Sequence, residues 1–279
     1  MKSSSSKFGG LRLRLFTAII GAFVIIAGTA YNMWAYFAIF LVLSILTQWE
    51  FYKLAHLDEK LPLKVWGTLI GQVFFAMTFL YEAKILEDLK YFLLVFPLLA
   101  SVFMIKLYKK DDEKPFTSIA YTFLGIIYVA IPFSLLHIIA FAERGSYSHE
   151  VIVGILLILW ASDTGAYFSG ILLGKKKLFE RVSPKKTWEG SIGGGLLALT
   201  MAYVLSRFFH DLNTIQWLVA SGLIVVTGIY GDLIESVFKR SIEIKDSGTA
   251  LPGHGGFLDR FDSLLLAAPF IVVFIKIFS

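Results

Sequence analysis

Apolar runs of about 20 residues recur along almost the whole chain, each closed by a short polar segment, and this pattern leaves little freedom in the fold. A hydrocarbon core of ~30 Å is crossed by about 20 helical residues at ~1.5 Å rise, so each run has the length of one crossing. The stretch 15–47 holds two crossings, turning near 29–32. The others fall at 63–81, 90–107, 116–142, 151–173, 191–209, 214–231 and 263–278. The expectation is an all-α integral membrane protein, a polytopic helical bundle of about nine transmembrane helices. Segment 116–142 exceeds one crossing and carries Pro132, which predicts a kink, a tilt or a division in two. Composition agrees: 57% of residues are hydrophobic, 17% are charged and the mean hydropathy is +0.72, far from a water-soluble domain.

Charge supplies the orientation. With nine crossings and a cytoplasmic N-terminus, only Lys84, Lys90, Arg144, Arg207 and Lys276 of the 26 Lys and Arg fall on the outer side. One missed helix would invert every later loop and destroy that asymmetry. The same topology places the two most polar segments, 174–190 and 232–262, together on the cytoplasmic face of the cell's inner membrane. The chain divides into a cytoplasmic tail at 1–14, N-terminal helices at 15–150, and a region at 151–279 that carries the polar loops. A cleaved signal peptide ending at Ala30 competes for the first run, because basic residues precede it and small residues close it; the next span begins at once, which weighs against it. The absence of cysteine excludes disulfides, a thiolate nucleophile and Cys-based metal centres. The net charge of +5 is the basic excess of cytoplasmic loops, so nucleic acid is not expected as a partner. No internal repeat is visible, which disfavours an inverted-repeat transporter.

Three segments carry chemistry. Asp163 lies inside the apolar run 151–173, where an ionised side chain costs on the order of 3 kcal/mol. It faces a substrate cavity or makes a structural bond between helices; Ser162 flanks it at the margin of the same face. The segment 174–190 concentrates six basic residues. They serve as a topology determinant touching lipid headgroups, or, with Ser183, Lys185, Lys186 and Thr187 around a stiff Pro184, as a polyphosphate site. In 232–262, Asp232, Glu235, Ser236 and Lys239 recur at helical intervals, and Asp259 and Asp262 pair one turn before the last apolar run. Carboxylates converging at a membrane edge need cations, and an all-oxygen set without Cys favours Mg2+. The Gly-rich turn around His254, Gly255 and Gly256 can aim N–H groups at an anion or can serve only chain geometry, and His254 can be a simple turn hydrogen bond.

These residues resemble the phosphatidate cytidylyltransferases, or CDP-diacylglycerol synthases. The matching signature is Ser236, Lys239-Arg240, Lys245-Asp246, Gly248, Leu251-Pro252, His254-Gly255-Gly256, Asp259-Arg260 and Asp262, without departure. The stretches around Ser162-Asp163 and Ser183 to Gly190 are similar to that family's too, so the likeness covers the C-terminal half. The resemblance implies an all-helical membrane fold, a homodimer, and the reaction of CTP with phosphatidate at the bilayer surface to give CDP-diacylglycerol and pyrophosphate. It implies metals on Asp232 and Asp259, with Mg2+ required and K+ beside it. On that basis Lys239, Arg240, Lys185 and Lys186 neutralise the phosphates, Asp262 joins the metal site, and Ser162, Asp163, Ser183, Thr187, Lys245, Asp246, His254, Gly255, Gly256 and Arg260 contact substrate. A CTP-dependent kinase of a polyprenol or similar lipid, and a cation-coupled transporter, are the alternative readings.

Overall fold

The computed structural model describes residues 5–57, 62–110, 112–244 and 255–278. Helix α1 (Ser5–Tyr31) begins ahead of the first apolar run and turns at Asn32 into α2 (Met33–Leu57). The Asn32 side chain caps that second helix by accepting the N–H groups of Trp34 and Ala35, each at 2.9 Å. Helix α3 (Lys64–Glu82) follows, and a 3₁₀ turn (Leu89–Leu94) leads into α4 (Val95–Leu107). The over-long run forms one rod: α5 (Pro115–Gly125) and α6 (Ile131–Ala140) are continuous through a π-helical segment, Ile126–Ala130. Pro132 has no N–H and its ring crowds the preceding turn, and the widened turn relieves both without ending the helix.

A small hairpin of β1 (Phe141–Glu143) and β2 (Ser146–Tyr147) precedes α7 (Glu150–Leu173). A second hairpin, β3 (Lys177–Phe179) and β4 (Ser183–Thr187), joins α7 to α8 (Trp188–Leu205); α9 (Thr214–Ser241) and α10 (Leu258–Phe278) complete the described chain. Six of the described spans are long and apolar enough to cross a membrane: Met33–His56, Leu89–Leu107, Pro115–Ala140, Glu150–Leu173, Thr214–Ser241 and Leu258–Phe278. Three other rods, α1, α3 and α8, lie beside them without meeting that measure; the apolar part of α1 is the shorter Thr17–Tyr31. The protein is thus an all-α membrane protein with two short hairpins, the second of which replaces the irregular loop expected at 174–190.

Lipid tails are as apolar as leucine, so these helices cohere by close packing and polar pairing. In the N-terminal half, Tyr36, Phe40, Phe75, Phe79, Phe133 and Phe141 are buried together, and the Tyr36 hydroxyl lies 3.0 Å from Nδ1 of His137. Beside them Gln48 donates to the Tyr52 hydroxyl (3.2 Å) and the Gly67 carbonyl (3.0 Å), while Tyr52 donates to the Thr122 carbonyl (2.7 Å). This network ties α2, α3 and α5 together.

Candidate active site

Helices α7 and α8 run antiparallel and meet through backbone. A Cβ on Gly194 would stand 2.7 Å from the Ser162 carbonyl oxygen and 3.1 Å from the Ala166 side chain, so only glycine allows this approach. The contact sets Ser162 and Asp163 opposite the first turns of α8. Above them the hairpin pairs Lys177 with Thr187 and Phe179 with Ser183. Thr187 caps α8, accepting the Gly190 N–H at 3.2 Å. Glu189 accepts the N–H groups of Lys175 (3.0 Å) and Lys176 (3.2 Å), which pins the entry to the basic segment. The bond from the Lys175 N–H, followed by the one from its own, holds the Glu189 carboxyl below the usual glutamate range.

Helix α9 does not stop at the expected 231. It continues to Ser241, and its 28 residues span ~42 Å, longer than a ~30 Å hydrocarbon core. The surplus turns carry Asp232, Glu235, Ser236 and Lys239 along one face, as their spacing predicts. Gly231 is where α10 crosses: a Cβ there would lie 2.5 Å from the Asp262 carbonyl oxygen. The crossing gathers Asp232, Glu235 and Asp262 so that one carboxylate oxygen of each lies within 4.8 Å of the others. Lys239 bridges to Glu235 at 2.6 Å and donates to Asp259 at 2.6 Å, while the Gly256 N–H donates to the other Asp259 oxygen at 3.2 Å.

Glu235 and Asp262 are buried, at 1% and 7% exposure, and charges of one sign in so small a space repel strongly. A donor set of carboxylate oxygens alone, with room for further oxygens from the Asp232 side, fits a hard divalent ion such as Mg2+. The sequence implied Asp232, Asp259 and Asp262; Glu235 stands with Asp232 and Asp262 in this group, and Lys239 bridges Glu235 to Asp259, 2.6 Å from each. The signal for Glu235 was its position one turn beyond Asp232 on the same helix face.

A cavity of about 540 Å3 opens between α7, the start of α8, the second hairpin and α9. Ser162, Asp163, Lys185, Lys186, Thr187 and Asp232 line its polar part, and Leu159, Ile171 and Ile224 its apolar part. Asp232 belongs both to the cavity wall and to the carboxylate group, and the Lys186 ammonium forms an ion pair with it. Ser183 is outside the lining, Arg240 turns back to the Ile244 carbonyl (3.3 Å), and Arg260 is exposed at the start of α10. Gly255 has a positive φ of 82°, the left-handed conformation that glycine tolerates. Lys245, Asp246 and His254 lie outside the described residues.

Fold and site together define an all-helical membrane protein whose C-terminal helices and second hairpin border a cavity with lysines on one wall, which meets a group of carboxylates through Asp232. The model of the cytidylyltransferase family matches residues 12–278, and the chain belongs to that family. It is similar to the phosphatidate cytidylyltransferase of Haemophilus influenzae, 45% identical over 46% of this chain and 48% of that protein. The enzymes of that name from Staphylococcus haemolyticus and Bacillus subtilis are 42% and 38% identical, over 56% and 59% of this chain and 58% and 61% of theirs. The chain thus spans about half to three-fifths of the length of the curated relatives it matches.

Proposed function

We propose that this protein is a CTP:phosphatidate cytidylyltransferase, a nucleotidyltransferase that makes CDP-diacylglycerol and pyrophosphate. The observation that carries this reading is the shared Asp232: one carboxylate joins a lysine-lined cavity to a group of three acidic side chains, of which Glu235 and Asp262 are buried. A phosphate monoester is already anionic near neutral pH, so it needs no general base to attack the α-phosphorus of CTP. Repulsion between the two anions is the obstacle. Lys185 and Lys186 hold the triphosphate from the hairpin side, and Ser162 and Asp163 border the path from the apolar part of the cavity, where the lipid's glyceryl end fits. Asp232, Glu235 and Asp262 would hold Mg2+, which would supply positive charge to offset that repulsion. Lys239, oriented by Glu235 and Asp259, stays protonated beside them. The phosphatidate oxygen forms its bond to the α-phosphorus as the bond to the β-phosphate breaks, and pyrophosphate leaves with both electrons of that bond.

Nine crossings, a cytoplasmic N-terminus and an active site facing the cytoplasm of the inner membrane belong to the same proposal, supported by the distribution of Lys and Arg. K+ and a homodimer rest on the family resemblance. The experiment is a turnover assay with purified protein, phosphatidate in mixed micelles and α-labelled CTP. Release of pyrophosphate with label entering the lipid is expected. Release of CDP with unlabelled lipid phosphate would instead make the protein a CTP-dependent lipid kinase, and no release at all would leave transport.

A further inference from the structure

No motif marks the N-terminal half, yet one of its buried side chains reaches the site. Glu50, near the C-terminal end of α2, is 6% exposed. Its carboxylate accepts the N–H of Phe257 at 2.9 Å and that of Leu258 at 3.4 Å. These groups stand at the start of α10, where backbone donors have no partner within the helix and a negative charge is favoured. The next residue, Phe51, stacks on Phe238 of α9 with ring centroids 5.2 Å apart and planes inclined by 20°. Phe238 immediately precedes Lys239, and Leu258 immediately precedes Asp259. One turn of α2 therefore grips the neighbour of each member of the Lys239–Asp259 pair. Filling space at this position would need no charge, and a buried carboxylate is costly unless its bonds hold something in place.

We propose that Glu50, with Phe51 beside it, is a positioning residue for the site. It sets the height and rotation of α10 against α9, so that Asp259 meets Lys239 and Asp262 meets Asp232 and Glu235. The kinetic part of its test rests on the proposed cytidylyl transfer; the structural part does not.

The test compares Glu50→Ala and Glu50→Gln with the parent, each as full-length protein in lipid nanodiscs. Hydrogen exchange in 257–262 is expected to quicken at least about tenfold in Glu50→Ala and to be partly restored in Glu50→Gln, which keeps one acceptor oxygen. Exchange in α3 is expected to stay at the parent level. In the turnover assay Glu50→Ala is expected to lower kcat at least about tenfold with the KM for CTP within about twofold, and Glu50→Gln to recover part of it. Unchanged exchange at 257–262 would overturn the proposal. So would exchange raised equally in α3 by both variants, which would make Glu50 a general folding residue, and so would a change confined to KM. If the parent turns over no CTP, the proposed activity fails and the exchange measurement alone decides the role of Glu50.

Discussion

Lys186 stands where two demands meet on one ammonium group. It neutralises Asp232 from the hairpin side and also faces the cavity in which the triphosphate is proposed to lie. Lys185, its neighbour, is exposed and lines the same cavity. The two substitutions are therefore expected to differ in steady-state kinetics. Lys185→Gln should raise the KM for CTP about tenfold, or about 1.4 kcal/mol, with little change in kcat. Lys186→Gln should lower kcat as well, because it leaves Asp232 less compensated beside Glu235 and Asp262. Equal effects on KM alone would place both lysines in simple anion attraction.

The carboxylates give a sharper test. Asp232→Asn and Glu235→Gln are each expected to abolish turnover to within about a thousandth of the parent rate while the protein still inserts, since the amides are nearly isosteric. The double variant should be little worse than either single one, as for groups acting as a unit. Asp259→Asn should also be inactive, through loss of the Lys239 pair, and its defect should not be eased by raising Mg2+. Asp163 was legible in the sequence because a carboxyl is out of place in an apolar run, Asp232 from its helical spacing with Glu235, Ser236 and Lys239, and the lysines from their concentration in one short segment. The sharing of Lys239 between Glu235 and Asp259 was not, because it depends on how α9 and α10 cross, which spacing along one helix does not state.

At the scale of elements, two backbone contacts build the site: α7 on α8 at Gly194 and α9 on α10 at Gly231. The second can be tested against an internal control. A methyl group at Gly231 meets the Asp262 backbone, which cannot yield without moving α10, whereas one at Gly222, on the same helix, meets nothing within 4 Å. Gly231→Ala is expected to lose at least about tenfold in kcat/KM, and Gly222→Ala to keep the parent value within about twofold. If both variants behave alike in the turnover assay, the crossing does not control the carboxylate geometry. Helix positions were readable from hydrophobic run length, and Asn32 closes α1 within the window expected for the first turn. The extension of α9 to Ser241 was only implied by its helical charge spacing, because hydropathy falls where the helix leaves the apolar layer. The second hairpin was missed since its lysines mask the weak alternation of a short strand.

At the scale of the whole molecule, orientation and the number of crossings become one question. The Lys186–Asp232 pair sets the second hairpin and the C-terminal end of α9 at the same end of the bundle. Helix α8 starts at that end, α9 returns to it and α8 is ~27 Å long, so the proposed nine crossings count it as a span although its composition alone does not mark it as one. At the opposite end Arg144 is held by the carbonyl oxygens of Tyr81, Leu86 and Glu87, and Arg207 by the Tyr203 hydroxyl. These two arginines are engaged locally, while the lysines of 174–190 crowd the other end, the asymmetry on which the proposed cytoplasmic orientation rests. The chain has no cysteine, so single cysteines report cleanly. Glu180→Cys, exposed at the tip of the second hairpin, is expected to resist a membrane-impermeant maleimide in intact cells and to react once the membrane is opened. Glu87→Cys, exposed beyond α3, is expected to react from outside. Labelling of both from the same side would mean that an odd number of the helices between them fails to cross, and labelling in the reverse sense would turn the active site away from the compartment that holds CTP.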